Sequence, residues 1–275
     1  MVDQGTLSAA EQSLRDGDPV AALKHLQKAV RGQSADAALR IFLFQLLAVL
    51  GQWDRALNQL TVAATLDPGA LAMAQTYREA VRCEVLREHV FAGKKSPMVL
   101  GEPEPWLGLL IESLLLTGRE ELEKARALRE QAFEDAPASS GTLNGQAFTW
   151  IADADMRLGP VLEAIINGRY YWVPFARVSR LVIEPPQDLR DFVWMPAHLQ
   201  FENEGEVYAL VPTRYKGSEN TEDSALLLAR KTDWAEPIPG FFCGLGQRVL
   251  TTDGGEIPLM EVREVSIDAG AAAQA

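Results

Sequence analysis

Two glycines, Gly17 and Gly51, stand 34 residues apart and carry the same pattern downstream. Alanine follows five positions on (Ala22, Ala56), leucine nine on (Leu26, Leu60) and alanine twelve on (Ala29, Ala63). This spacing constrains the fold more than any other feature. A glycine at the start of each unit suits a tight turn between two antiparallel helices, where left-handed backbone angles cost it little. A small residue five on lets the paired helices approach, and the later Leu and Ala continue one buried stripe at helical period. Asp67-Pro68 closes the second copy, and the proline stops its helix; the first copy has Gln33-Ser34 there.

A 34-residue period with small residues at these points resembles the tetratricopeptide repeat. A degraded third copy keeps Leu122, Ala125, Ala132 and Pro137, while its glycine, Gly118, stands about two residues early. A long helix is predicted over Leu71 to Phe91 between the copies, and another begins near Trp106 after the acidic Gly101-Glu102-Pro103-Glu104-Pro105. The irregular third copy suits a cap that docks onto the C-terminal half of the chain. Phe42, Phe44, Trp53 and Leu60 read as packing between hairpins, against the alternative that first helices line a concave groove for a helix or peptide.

Around Pro137-Ala138-Ser139-Ser140-Gly141 the alanine-rich pattern gives way to aromatic and β-branched runs broken by Pro and Gly. Strands are predicted within Tyr170 to Ile183, Asp191 to Phe201, Glu206 to Tyr215, Ala225 to Lys231, Gln247 to Thr251 and Leu259 to Ile267. Gly159-Pro160 ahead of Val161 to Ile166 suggests a short helix, with Asn167-Gly168 turning into the first long strand. The tail from Asp268 reads as frayed. The expected fold class is α+β: TPR-like α-helical hairpin repeats over 1–138, then a smaller strand-rich domain over 139–275.

Composition excludes several function classes. The 275 residues include 47% hydrophobic and 23% charged ones, enough for a sizeable core. A formal charge of −12 argues against nucleic acid and against an anionic membrane surface, since both recruit basic clusters. The most apolar run, Ile41 to Leu50, is too short to span a bilayer, and Met1 to Gly5 lacks a secretory start. A soluble cytoplasmic chain is expected. Cys83 and Cys243 are too few for a disulfide framework or a thiolate metal cluster, and read as reduced, inert thiols.

Catalytic motifs are sparse. Asp153 and Asp155 form a D-x-D pair of the kind some metal-dependent transferases use, against the plainer reading of carboxylates holding Arg157 or loop amides. Burial of both against arginines would decide for the latter. His25, His89 and His198 are scattered, and Gly244-Leu245-Gly246 lacks the Lys-Ser/Thr end of a phosphate loop. No cofactor motif is present. Aromatic and arginine residues crowd the C-terminal half, and Arg169, Tyr171, Trp172, Phe175, Trp194, Tyr215, Arg230 and Trp234 are the candidates for partner contact. A homodimer is compatible with exposed aromatics.

The segment Trp150-Ile151-Ala152-Asp153-Ala154-Asp155-Met156-Arg157-Leu158-Gly159-Pro160 is the most recognisable stretch of the chain. With Asn167 to Phe175, Asp188 to Trp194, Pro212-Thr213-Arg214-Tyr215, Ala229 to Trp234 and Gly246-Gln247-Arg248, it resembles the ImpE/SciE (TagJ) family of type VI secretion accessory proteins. The likeness runs over nearly the whole chain. One departure is the charged run Glu120-Glu121-Leu122-Glu123-Lys124. The resemblance implies a cytoplasmic, non-catalytic adaptor that binds the small contractile-sheath subunit (TssB type) through an N-terminal helix of that subunit. It also implies a link to sheath turnover by the ClpV ATPase, as an indirect partner, with direct contact left open. No catalytic set comes with the family. The alternatives are a metal-dependent enzyme at Asp153 and Asp155, or a general scaffold or chaperone.

Overall fold

A computed structural model describes residues 4–269. Among them seven helices come first: α1 (Gln4–Arg15), α2 (Pro19–Gly32), α3 (Ala37–Val49), α4 (Trp53–Leu66), α5 (Leu71–Phe91), α6 (Pro105–Gly118) and α7 (Leu122–Asp135). The first two hairpins turn at Gly17 (φ +82°) and Gly51 (φ +65°), both left-handed as the spacing requires. Asp18 and Asp36 cap α2 and α3 by accepting from Ala21 and Leu39 amides. Ala22, Leu26, Ala56, Leu60 and Ala63 are fully buried, so the repeat pattern is the packing stripe.

The third hairpin differs from expectation in one informative respect. Glu120, not Gly118, adopts the left-handed turn, at φ +64°. Counted from Glu120, Ala125, Ala132 and Pro137 fall at the offsets seen after Gly51. Gly118 has a separate duty: a Cβ there would lie 2.3 Å from the Ala92 carbonyl, where α6 crosses the end of α5. Arg129 takes the place of Leu26 and Leu60, buried with its guanidinium 3.7 Å from the Phe241 ring centroid.

The strands are β1 (Met98–Val99), β2 (Gly141–Leu143), β3 (Gln146–Phe148), β4 (Ile151–Asp153), β5 (Val161–Ile166), β6 (Arg169–Pro174), β7 (Val178–Ile183), β8 (Trp194–Phe201), β9 (Glu206–Pro212), β10 (Thr232–Ile238), β11 (Phe241–Gly246), β12 (Val249–Thr252), β13 (Gly255–Pro258) and β14 (Glu264–Ile267). Nine form one sheet in the order β1-β6-β5-β9-β8-β7-β14-β2-β3. Its pairs are antiparallel except β1 with β6. Smaller sheets are β13-β12-β4 and the hairpin β10-β11.

Three sequence readings change here. Val161 to Ile166 is a strand, not a helix: Asn167 (φ +50°) and Gly168 (φ +72°) make a tight hairpin turn that pairs it with β6. Tyr170 to Ile183 is two strands, because Pro174 leads into a 3-10 turn at Phe175–Arg177. Ala225 to Lys231 is not a strand. Asp223 caps a four-residue helix, α8 (Ser224–Leu227), and a strand pair the sequence reading omits follows it as β10 and β11. The tail beyond Ala269 lies outside the described residues.

Alternation on the sheet explains the burial. On β5, β6 and β8, Val161, Ile165, Tyr170, Trp172 and Trp194 pack with the helices in one continuous core. Their neighbours Leu162, Ala164, Ile166, Val173 and Met195 enter a second core, covered by β12, β14 and the Leu259 turn. Both faces of β5 are therefore dry, as is most of β6. Trp194 lies against Trp53 and Tyr77, with ring centroids 5.9 and 5.7 Å away, so the helical part is clasped by the chain's own sheet. Among the described residues no helix is long and apolar enough to cross a membrane.

Candidate functional site

The face of β5 that meets the helices carries one charged residue, Glu163, and the chain surrounds it. Arg87 of α5 forks onto it, Nε to Oε1 at 2.7 Å and Nη2 to Oε2 at 2.9 Å. Arg248 donates to the same Oε2, and the Tyr170 hydroxyl donates to Oε1. Trp172 donates its indole N–H to the Tyr170 oxygen at 2.8 Å, and Trp194 donates to Glu84 at 3.0 Å. Arg87 also reaches the Arg214 carbonyl at 2.8 Å. Burial alone would raise the Glu163 pKa. The two guanidiniums and the hydrogen bonds outweigh it and bring the carboxyl down to about 2.

Asp153 and Asp155 belong to the same network. The Asp155 carboxylate, fully buried, accepts from the Arg157 amide and Nε, both at 2.8 Å, and from the Gly244 amide at 2.8 Å. Asp153 accepts the Asp155 amide at 2.9 Å and faces Arg248, with Oδ2 and Nη1 3.2 Å apart but not aligned as a hydrogen bond. Burial is the main reason the Asp153 pKa rises to about 7, and Asp155 and Glu163 add to the rise against the pull of Arg248. Arginines hold both carboxylates where an enzyme would need a metal ion. The metal-dependent reading is withdrawn on that geometry.

The predicted contact residues separate into two groups. Trp172, Phe175, Trp194 and Tyr215 are at most 1% exposed, so they build the core and offer no surface to a partner. Their aromatic character answers to a two-faced buried sheet. Arg169 and Arg230 are exposed, Tyr171 is half-buried and Trp234 is 37% exposed with its ring against Tyr215, centroids 5.8 Å apart. Arg230 is occupied within the chain, donating to the Leu14 and Arg15 carbonyls at the end of α1. Cys83 and Cys243 are free, and burial raises their thiol pKa values to about 12 and about 11.

Trp150 is a surface feature that the sequence candidates omit. It begins the most recognisable stretch of the chain, yet its ring is 39% exposed and, among the described residues, makes no ring pair and no side-chain hydrogen bond. It stands over a cleft of about 430 Å³ between β4 and the end of α7. The lining is mostly apolar: Phe133, Pro137 and Ala138 on one side, Ala152, Met156 and Pro160 on the other. The signal is present in the sequence, since a tryptophan beside alternating small residues marks a strand with one uncovered face. A second groove, of about 620 Å³, runs between α5 and the β8–β9 hairpin, where polar Gln75, Thr76, Glu79 and Asn167 mix with apolar Ile165, Pro196, Leu210 and the 83% exposed Tyr208.

Comparison with known proteins agrees with this architecture. The ImpE protein family matches residues 145–266, and the tetratricopeptide repeat family matches residues 13–77. A curated relative from Pseudomonas aeruginosa, the type VI secretion system accessory component TagJ, is 49% identical over 267 residues, which is 96% of this chain and 93% of the relative. The crystal structure of protein VPA1032 from Vibrio parahaemolyticus superposes with a TM-score of 0.86 at 27% identity, over 94% of this chain and 97% of the other.

Proposed function

The chain belongs to the ImpE family, and from that premise we propose that it is a cytoplasmic accessory component of a type VI secretion system. It works as an adaptor without catalysis of its own: it binds the small contractile-sheath subunit by an N-terminal helix of that subunit and so influences ClpV-linked sheath turnover. The observation that carries this reading is the identity to the Pseudomonas aeruginosa accessory component along almost the full length of both chains. Supporting it, the two acidic residues that most suggested chemistry are buried in the core, Asp155 paired with Arg157 and Asp153 facing Arg248.

Calorimetric titration of the chain with a peptide of the cognate sheath subunit's N-terminal helix tests the proposal. A Kd of about 1 μM or tighter, about −8 kcal/mol, is expected. Absence of heat with the peptide in large excess, or equal binding of unrelated amphipathic helices, contradicts a dedicated adaptor.

A further inference from the structure

The fold accounts for five of the six tryptophans. Trp53 packs on Trp194, Trp172 on Phe91, Trp106 donates to Glu104 at 2.7 Å and Trp234 lies against Tyr215. Trp150 is the sixth, and nothing in the packing requires an indole there. The residues after it serve both the core and the cleft. Asp155 turns into the arginine network, Asp153 faces Arg248 while adjoining the cleft, and Ala152, Ala154 and Met156 line the cleft. The stretch that carries the family resemblance is thus half core and half cleft wall.

We propose that the cleft under Trp150 is the docking site for the adaptor's partner, and that its occupant is one apolar stripe of an amphipathic helix with basic residues at its flanks. The inference rests on the reading that the partner is the sheath-subunit helix. Size sets the mode of binding. A helix about 10 Å across fills about 430 Å³ in roughly one turn, so the cleft takes the side chains of a single stripe while the helix lies along its mouth. Charge sets the flanks. Exposed Glu134 and Asp135 adjoin the α7 wall, and Asp253 adjoins Trp150 by accepting the Thr149 amide and hydroxyl at 2.9 and 2.8 Å. Arg157, next in the chain to the lining residue Met156, is turned inward onto Asp155. The groove between α5 and β8–β9 mixes Gln75, Thr76, Glu79 and Asn167 with its apolar residues, whereas the cleft wall is almost wholly apolar, so the cleft is the better match for an apolar stripe.

The test titrates the full chain and three variants with the sheath-helix peptide, each variant checked by thermal melting. Trp150→Ala removes the anchor, Ala138→Lys places a cation at the mouth, and Tyr208→Ala alters the other groove. Trp150→Ala and Ala138→Lys are each expected to weaken binding roughly tenfold or more, with Tyr208→Ala unchanged. Should Trp150→Ala melt early, Ala138→Lys, a change at the cleft mouth, decides alone. Wild-type affinity in both cleft variants overturns the site and leaves the adaptor reading standing. Failure of the unmutated chain to bind overturns both.

Discussion

Arg214 and Arg230 donate to the same two repeat positions, one hairpin apart. Arg230 reaches the carbonyls of Leu14 (2.6 Å) and Arg15 (3.2 Å), three and two residues before Gly17. Arg214 reaches those of Ala48 (3.5 Å) and Val49 (2.8 Å), three and two residues before Gly51. The last carbonyls of a helix lack intrahelical donors and carry its negative end, so a guanidinium there satisfies both. The strand-rich half therefore reads the 34-residue period of the helical half, and the ends of both first helices are occupied by the chain itself.

The two arginines should differ in weight. Arg214 is buried, and desolvation brings its pKa down to about 10, whereas Arg230 is exposed. Arg214→Ala strands buried carbonyls and opens a cavity, with an expected loss of about 2–4 kcal/mol. Arg230→Ala should cost about 1 kcal/mol or less. Urea unfolding of both variants checks this, and equal losses would contradict the assignment.

The turn residues of the three hairpins give a graded series. A Cβ on Gly51 would lie 2.7 Å from Glu219 Cβ, while one on Gly17 would lie 3.3 Å from the guanidinium end of Arg230. Both positions have left-handed backbone angles, so Gly17→Ala should cost about 1–2 kcal/mol and Gly51→Ala more. Glu120 occupies the same conformation without being glycine. Glu120→Gly should therefore stabilise the chain, by about 0.5–1 kcal/mol once glycine's extra unfolded-state entropy is subtracted. Thermal melts rank the three.

Two buried carboxylates should give stability opposite pH dependences. Glu163 titrates near 4.5 when unfolded and near 2 when folded, so its contribution is present above 4.5 and is lost as pH falls toward 2. Asp153 keeps its proton up to about pH 7 when folded but releases it near 3.8 when unfolded. Its contribution is complete below 3.8 and disappears as pH rises through about 7. Asp153→Asn, which stays neutral, should flatten the decline in urea midpoint between about pH 4 and pH 7. Parallel curves for the two proteins would contradict the buried, protonated Asp153.

The helical hairpins were legible because their turn glycines and buried alanines recur at a fixed spacing, and the long helix Leu71–Phe91 falls where its pattern put it. The strands were less so. Val161 to Ile166 is apolar at nearly every position because both its faces are covered, which removes the alternation that marks a half-buried strand. The same two-sided burial made Trp172, Phe175, Trp194 and Tyr215 look like contact residues when they are core. The Glu163 network joins residues as far apart as Arg87 and Arg248, a convergence no local pattern encodes. Trp150 was readable in principle, but its exposure depends on how α7 ends beside β4.

On the proposed docking, the partner seats in the cleft between α7 and β4 beside Trp150 and not along the first two hairpins, whose first-helix ends are occupied by Arg230 and Arg214. Hydrogen–deuterium exchange of the full chain with and without the sheath-helix peptide tests it directly. The account expects new protection at 133–138 and 150–160, with 19–66 unchanged. Protection confined to 19–66 would contradict it.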